Sequence, residues 1–290
     1  MDVPVEFRVL GPLEAVVDGR RLDLGPPKRR MLLALLLLEP GHCVPVERMV
    51  DLIWEAPPPA ARRVVFAHVA RLRKALAPAA AYGVALLSTP PGYTLTVDPA
   101  QVDAHVFRQL VRGAAAVEDQ QARADLLRRA LGLWRGPALQ DLSAGANLQH
   151  ICRGLDDLRL LSLEDRIDAD LAAGHDRLMR DELSQLVAQH PLRERLAGQL
   201  MLALYRLGNI GEALEVYRRT RSHLAAELGL DPGPELSHLH ATILRRDRSL
   251  ALPAPNRRVA PRPAAVRGRP MVRVRSGAVQ PADAAPLSPR

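Results

Sequence analysis

Long cations, methyl-sized side chains and one aromatic ring share one side of the segment from Ala60 to Ala77, AARRVVFAHVARLRKALA. Wound as a helix at 100° per residue, Val65, Val69, Leu72 and Leu76 form an apolar stripe. Opposite it lie Arg63, Ala67, Ala70 and Lys74, with Phe66 and Arg71 beside them. An arginine can hydrogen-bond guanine O6 and N7 with both arms, and an apolar side chain can contact a thymine methyl group. Alanines between such residues allow close approach to a polyanion. The pattern points to DNA rather than to a small substrate. Arg62 and Arg73 flank the stripe, a place expected to meet phosphates rather than bases. A solvated cationic face is the bland alternative for Arg63, Arg71 and Lys74. Phe66 can also be read as cover for a neighbouring helix, and His68, at the stripe's edge, as a core residue.

The flanking segments supply a frame for that helix. Val3, Val5, Phe7 and Val9 alternate, as do Leu13, Ala15 and Val17, with a hairpin turn at Asp18-Gly19. Pro26-Pro27 precedes a helix from Lys28 to about Glu39, closed by Pro40-Gly41. A second helix starts near Pro45 and places Val46, Met49, Val50, Ile53 and Trp54 at helical spacing. After Tyr82-Gly83 the period becomes two: Tyr93, Leu95 and Val97 alternate with Thr94 and Thr96, and Pro90-Pro91-Gly92 makes the turn. Tyr93 reads as packing within this hairpin. Sheet, three helices and hairpin, in that order, are the plan of a winged helix-turn-helix, whose third helix enters the major groove. Thr89 and Thr94 of the hairpin complete the candidate DNA-binding set. Lys28, Arg29 and Arg30 oppose the dipole of the helix they open, which hints at phosphate contact; a solvated helix end is equally compatible.

Charge alone does not make this argument. The chain has 290 residues and a formal net charge of +8, but residues 1–98 hold 12 Lys+Arg against 10 Asp+Glu. Residues 247–290 hold 9 against 2, and this Pro/Arg-rich tail is expected to be disordered, either a linker end or a non-specific DNA tether. Cys43 and Cys152 form no CxxC pair, which argues against a disulfide framework or a zinc site and for a reducing cytosol. No apolar run reaches the roughly 18–20 residues of a membrane span. No HExxH spacing and no set of nucleophile, base and orienter is present, so neither a metal, a cofactor nor catalysis is expected, and the protein is read as cytoplasmic and not an enzyme.

From Val102 to Leu244 the period is helical throughout. Val106, Phe107, Leu110, Val111 and Ala114 define one helix, and Leu126, Leu127, Ala130, Leu131 and Trp134 another, stopped by Gly136-Pro137. A long helix is expected from about Leu148 to Ala173. Gly174 and Gly208, Leu171 and Tyr205, and Leu183 and Tyr217 are each 34 positions apart, the tetratricopeptide period. The expected fold is therefore mainly α: a winged helix-turn-helix over 1–98, an all-α tetratricopeptide-like domain over 99–246 and the tail.

Particular stretches add a resemblance. PPKRRMLLALLLLEPG at 26–41, VERMVDLIWEAPPPAARR at 46–63, HVARLRKAL at 68–76 and PPGYTL at 90–95 resemble the DNA-binding half of the Streptomyces antibiotic regulatory protein family. LWRGPAL at 133–139, LEDRIDADLAAG at 163–174 and the long run from His190 to Leu236 resemble its bacterial transcriptional activation domain. The likeness covers about residues 5–245. It implies an activator with an OmpR-type winged helix, binding direct repeats near a promoter's −35 region as a head-to-tail pair. It also implies recruitment of RNA polymerase through its sigma factor, commonly at antibiotic gene clusters. Larger members add an ATPase domain, and no GxxxxGKS/T loop occurs here. The family usually has Asn where Arg63 stands, Gln where Phe66 stands, and Arg where Thr94 stands in the wing. A different repeat sequence and a weaker minor-groove grip are thus expected. The competing class is a repeat-helix adaptor whose winged helix binds protein.

Overall fold

The computed structural model describes residues 4–142 and 146–251. Val3 and the tail from 252, expected as a strand residue and as a disordered segment, lie outside the described residues. Strands β1 (Val5–Arg8), β2 (Glu14–Val17) and β3 (Arg20–Arg21) form an antiparallel sheet in that order. The β2–β3 turn puts Asp18 at φ 47° and Gly19 at φ 74°, two left-handed residues whose twist suits a tight hairpin. Helix α1 (Pro27–Leu38) follows, and every residue from Met31 to Leu37 is buried. A helix that is apolar on all sides belongs inside a core. Here it is packed by α2 (Val46–Ile53), α3 (Ala61–Ala75) and the hairpin of β5 (Ala85–Thr89) and β6 (Gly92–Thr96).

The hairpin has a third strand that the sequence pattern did not announce. β4 (Cys43–Pro45) pairs with β6, so the sheet order is β4-β6-β5 and β6 is central. Three residues ending in proline are too few to show a period. Gly92 makes this pairing possible: a Cβ there would stand 1.8 Å from the Val44 carbonyl oxygen.

The C-terminal part is helical: α4 (Asp103–Ala115), α5 (Gln120–Leu131), α6 (Ala146–Ala172), α7 (Asp176–Gln189), α8 (Glu194–Arg206), α9 (Ile210–Leu228) and α10 (Pro234–Leu244). Trp134, read from its spacing as part of the α5 helix, lies beyond its end and packs edge to face on Phe107, with centroids 5.5 Å apart. The chain leaves the helix there because its backbone is needed elsewhere: Arg135 N–H donates to Leu10 O and Leu139 N–H to Val9 O.

Those bonds belong to a core that does not stop at residue 98. One apolar cluster runs from Val5 to Leu155 and includes Val102, Phe107, Ala130 and Leu148. Asp103, its side chain largely buried at the start of α4, accepts hydrogen bonds from Val9 N–H (2.8 Å) and Leu10 N–H (3.0 Å). Burial pushes its pKa above the usual carboxylate range in spite of those donors and of Arg135. Asp141 accepts from Leu13 N–H and pairs with Arg30. A second cluster, from Ile167 to Ile243, fills the space among the later helices.

The 34-residue spacing has a geometric counterpart. Gly174 N–H donates to Leu171 O and His175 N–H to Asp170 O; Gly208 N–H donates to Tyr205 O and Asn209 N–H to Leu204 O. Both glycines are left-handed, at φ 88° and 83°, as such a helix end requires. No helix among the described residues is long and apolar enough to cross a membrane.

Candidate nucleic-acid interface

Helix α3 is amphipathic along its whole length. Ala61, Val65, Val69 and Leu72 are buried, with Leu76 just past its end. Arg62, Arg63, Phe66, Ala67, Ala70, Arg71, Arg73 and Lys74 are exposed. The helix contains no acid. Arg63, Arg71 and Lys74 form no ion pair with a described residue; among α3 residues only Arg62 does, with Glu47 of α2. That pair is open to water, its side chains 71% and 55% exposed, so it contributes at most about 1 kcal/mol and leaves Arg62 free to exchange Glu47 for a phosphate.

Arg73 is held differently. Its Nε–H donates to Leu86 O and one terminal nitrogen to Ser88 Oγ, each at 2.8 Å, and its guanidinium lies 5.6 Å from the centre of the Tyr93 ring. It binds helix to wing, a use that stripe position alone does not reveal. Phe66 remains 48% exposed yet meets Tyr93 edge to face at 6.5 Å. Tyr93 is thus the packing residue its alternation indicated. Thr89 is half-buried at the end of β5, where its carbonyl accepts from Cys43 Sγ–H. Thr94 lies mid-strand in β6, half-buried between Cys43 and Leu87 rather than at the turn.

The cations that open α1 divide by role. Arg30 pairs with Asp141 and donates to Leu13 O at 2.8 Å, so it fastens loops together. Lys28 places its ammonium 4.8 Å from the Trp54 ring. Arg29, its Nε buried without a partner among the described residues, lies with Lys28 and Arg71 near half-buried His68. Burial, then the charges of Arg29, Arg71 and Lys28, lower the His68 pKa and favour the neutral ring. A positive patch therefore continues from α3 onto the start of α1. Among the described residues no group of three or more His, Cys, Asp or Glu could hold a metal ion.

Residues 19–95 match the family described as "Transcriptional regulatory protein, C terminal", and residues 102–244 match "Bacterial transcriptional activator domain". The transcriptional regulator RedD of Streptomyces coelicolor is 40% identical over 257 residues, covering 86% of this chain and 73% of RedD. The chain belongs to the Streptomyces antibiotic regulatory protein family of transcriptional activators. Another similar protein is the regulatory protein AfsR of the same organism, 42% identical over 255 residues, although these cover 85% of this chain and 25% of AfsR. Among solved structures, that of Mycobacterium tuberculosis EmbR in complex with a low-affinity phosphopeptide superposes with a TM-score of 0.78 at 33% identity, over 84% of this chain and 66% of that one. The family and its members are transcriptional regulators and not enzymes. The winged helix followed by a helical domain is the architecture shared with EmbR.

Proposed function

We propose that this family member is a cytoplasmic, sequence-specific DNA-binding activator that reads its site with α3. Arg63 and Phe66 face the bases, Ala67 and Ala70 allow close approach, and Arg62, Arg71 and Lys74, extended by Lys28 and Arg29, hold phosphates. The hairpin, with Thr89 and Thr94, follows the adjacent backbone or minor groove. Two copies occupy direct repeats near a promoter's −35 region, and the helical lobe recruits RNA polymerase through its sigma factor at a secondary-metabolite gene cluster.

The observation that carries this reading is the acid-free outer face of α3, with three cations unpaired among the described residues, beside a three-stranded wing. Genome-wide footprinting with the purified full chain tests it. Salt-dependent retention of a recurring repeat over scrambled DNA is expected. Equal retention of both would overturn specific binding. Full-length protein is needed because cutting at residue 98 would open the core that Phe107 and Leu148 share with Phe7. On a footprinted promoter, the full chain should stimulate transcription by purified polymerase; occupancy without stimulation would overturn the recruitment part.

A further inference from the structure

An exposed phenylalanine on a helix surface ordinarily samples several rotamers, and fixing one on binding carries an entropic cost. Phe66 has a neighbour that selects one. The Tyr93 ring meets it at 69°, with centroids 6.5 Å apart, within the range of favourable edge-to-face pairs. Tyr93 is itself fixed from several sides. It lies on the central strand, opposite Val44 of β4 and Ser88 of β5. Arg73 covers its face, held in turn by Leu86 O and Ser88 Oγ. The close approach of β4 at Gly92 anchors the strand one residue earlier. The Tyr93 hydroxyl makes no hydrogen bond with a described residue, so the ring alone does this.

We infer that Tyr93 is a specificity-determining positioning residue: without touching a base, it sets the orientation in which Phe66 reads one. The inference rests on the proposed reading of α3 as the base-reading helix. Arg73 completes the device by holding the wing, and Tyr93 with it, against α3.

The test is selection of bound sites from random DNA with full-length protein and with Phe66→Ala, Tyr93→Ala, Tyr93→Phe and the double alanine variant. Phe66→Ala should flatten the preference at one base position. Tyr93→Ala should flatten the same position, by about two- to tenfold, the range of an aromatic pair. The double variant should be no flatter than Phe66→Ala, and Tyr93→Phe should keep the wild-type preference. A merely structural Tyr93 would instead weaken all sites uniformly. Tyr93 also packs against the core, so Tyr93→Leu, which keeps apolar bulk and loses the ring, carries the test if Tyr93→Ala unfolds in the assay. Additive effects, a Tyr93→Ala change at some other position, or a Phe66→Ala profile identical to wild type would each overturn the inference. If wild-type protein recovers no motif at all, the α3 reading itself has failed.

Discussion

Arg63, Arg71 and Lys74 stand on α3 without an ion-pair partner among the described residues, whereas Arg166, Arg195 and Arg206 of the helical lobe are each paired with acids. Arg166, 6% exposed in its side chain, pairs with Asp170 and Glu182. Burial lowers the pKa of Arg195, but its hydrogen bonds to Asp168 and Asp165, together with their charges, hold it above the usual arginine value. Arg206 donates to Leu171 O, Leu250 O and Asp176. The same side chain therefore serves two ends. Where its charge is balanced internally it joins helices; on α3, where it is left unbalanced, it is open to an anion on the proposed reading. Net charge, almost neutral in both lobes, hides this difference.

Substitutions on either side sharpen the contrast. The largest effect is expected from Asp170→Ala. Asp170 is fully buried and faces Arg128, Arg166 and His175, so its loss leaves the buried Arg166 with Glu182 alone and should cost about 3–5 kcal/mol in denaturant unfolding. Next, Arg63→Ala should reduce discrimination between its preferred and mismatched base pair by about 1–3 kcal/mol. The unfolding midpoint should not move; a shift as large as that of Asp170→Ala would erase the distinction between the two regions. Glu47→Gln releases Arg62 from its only ion pair among the described residues and should tighten binding to any DNA by no more than about 1 kcal/mol, measurable by titration at two salt concentrations.

The smallest effect concerns His68. Its pKa is lowered in the folded protein, so as pH falls through the ordinary histidine range the unfolded chain takes up the proton first and stability declines. His105 and His240 are lowered in the same direction, chiefly by burial. Melting temperatures should therefore drop from about pH 7.5 to about pH 6. His68→Gln should reduce that drop without abolishing it. An unchanged drop would mean that neither burial nor the nearby cations shift His68.

Periodicity made the face of α3 legible because a helix turns its residues by a fixed angle, and the wing legible because Tyr93, Leu95 and Val97 alternate. It could not show what lies across from a side chain. Arg73 has the position of a phosphate contact and is drawn inward by Leu86 O and Ser88 Oγ, 13 and 15 residues away. Arg30 is drawn to Asp141, more than a hundred residues on. β4 is too short to carry a pattern. Trp134 fits the apolar spacing of α5 but lies beyond the helix end, where backbone bonds to Val9 and Leu10 take over. Asp103 resembles an acid favouring a helix start, yet it is a largely buried acceptor for two N–H groups of another segment. In each case the missing information is a tertiary partner.

The stitching of Val9 and Leu10 to Asp103, Arg135 and Leu139 has a consequence for promoter geometry. A lobe that shares a core with the winged helix cannot swivel about a linker. If α3 docks on DNA as proposed, the face of the duplex it meets sets the side on which the helical lobe stands. On the proposed reading, the spacing between repeat and polymerase site is counted in turns of the double helix. An insertion of about five base pairs, half a turn, would carry the lobe to the far side, and about ten would bring it back.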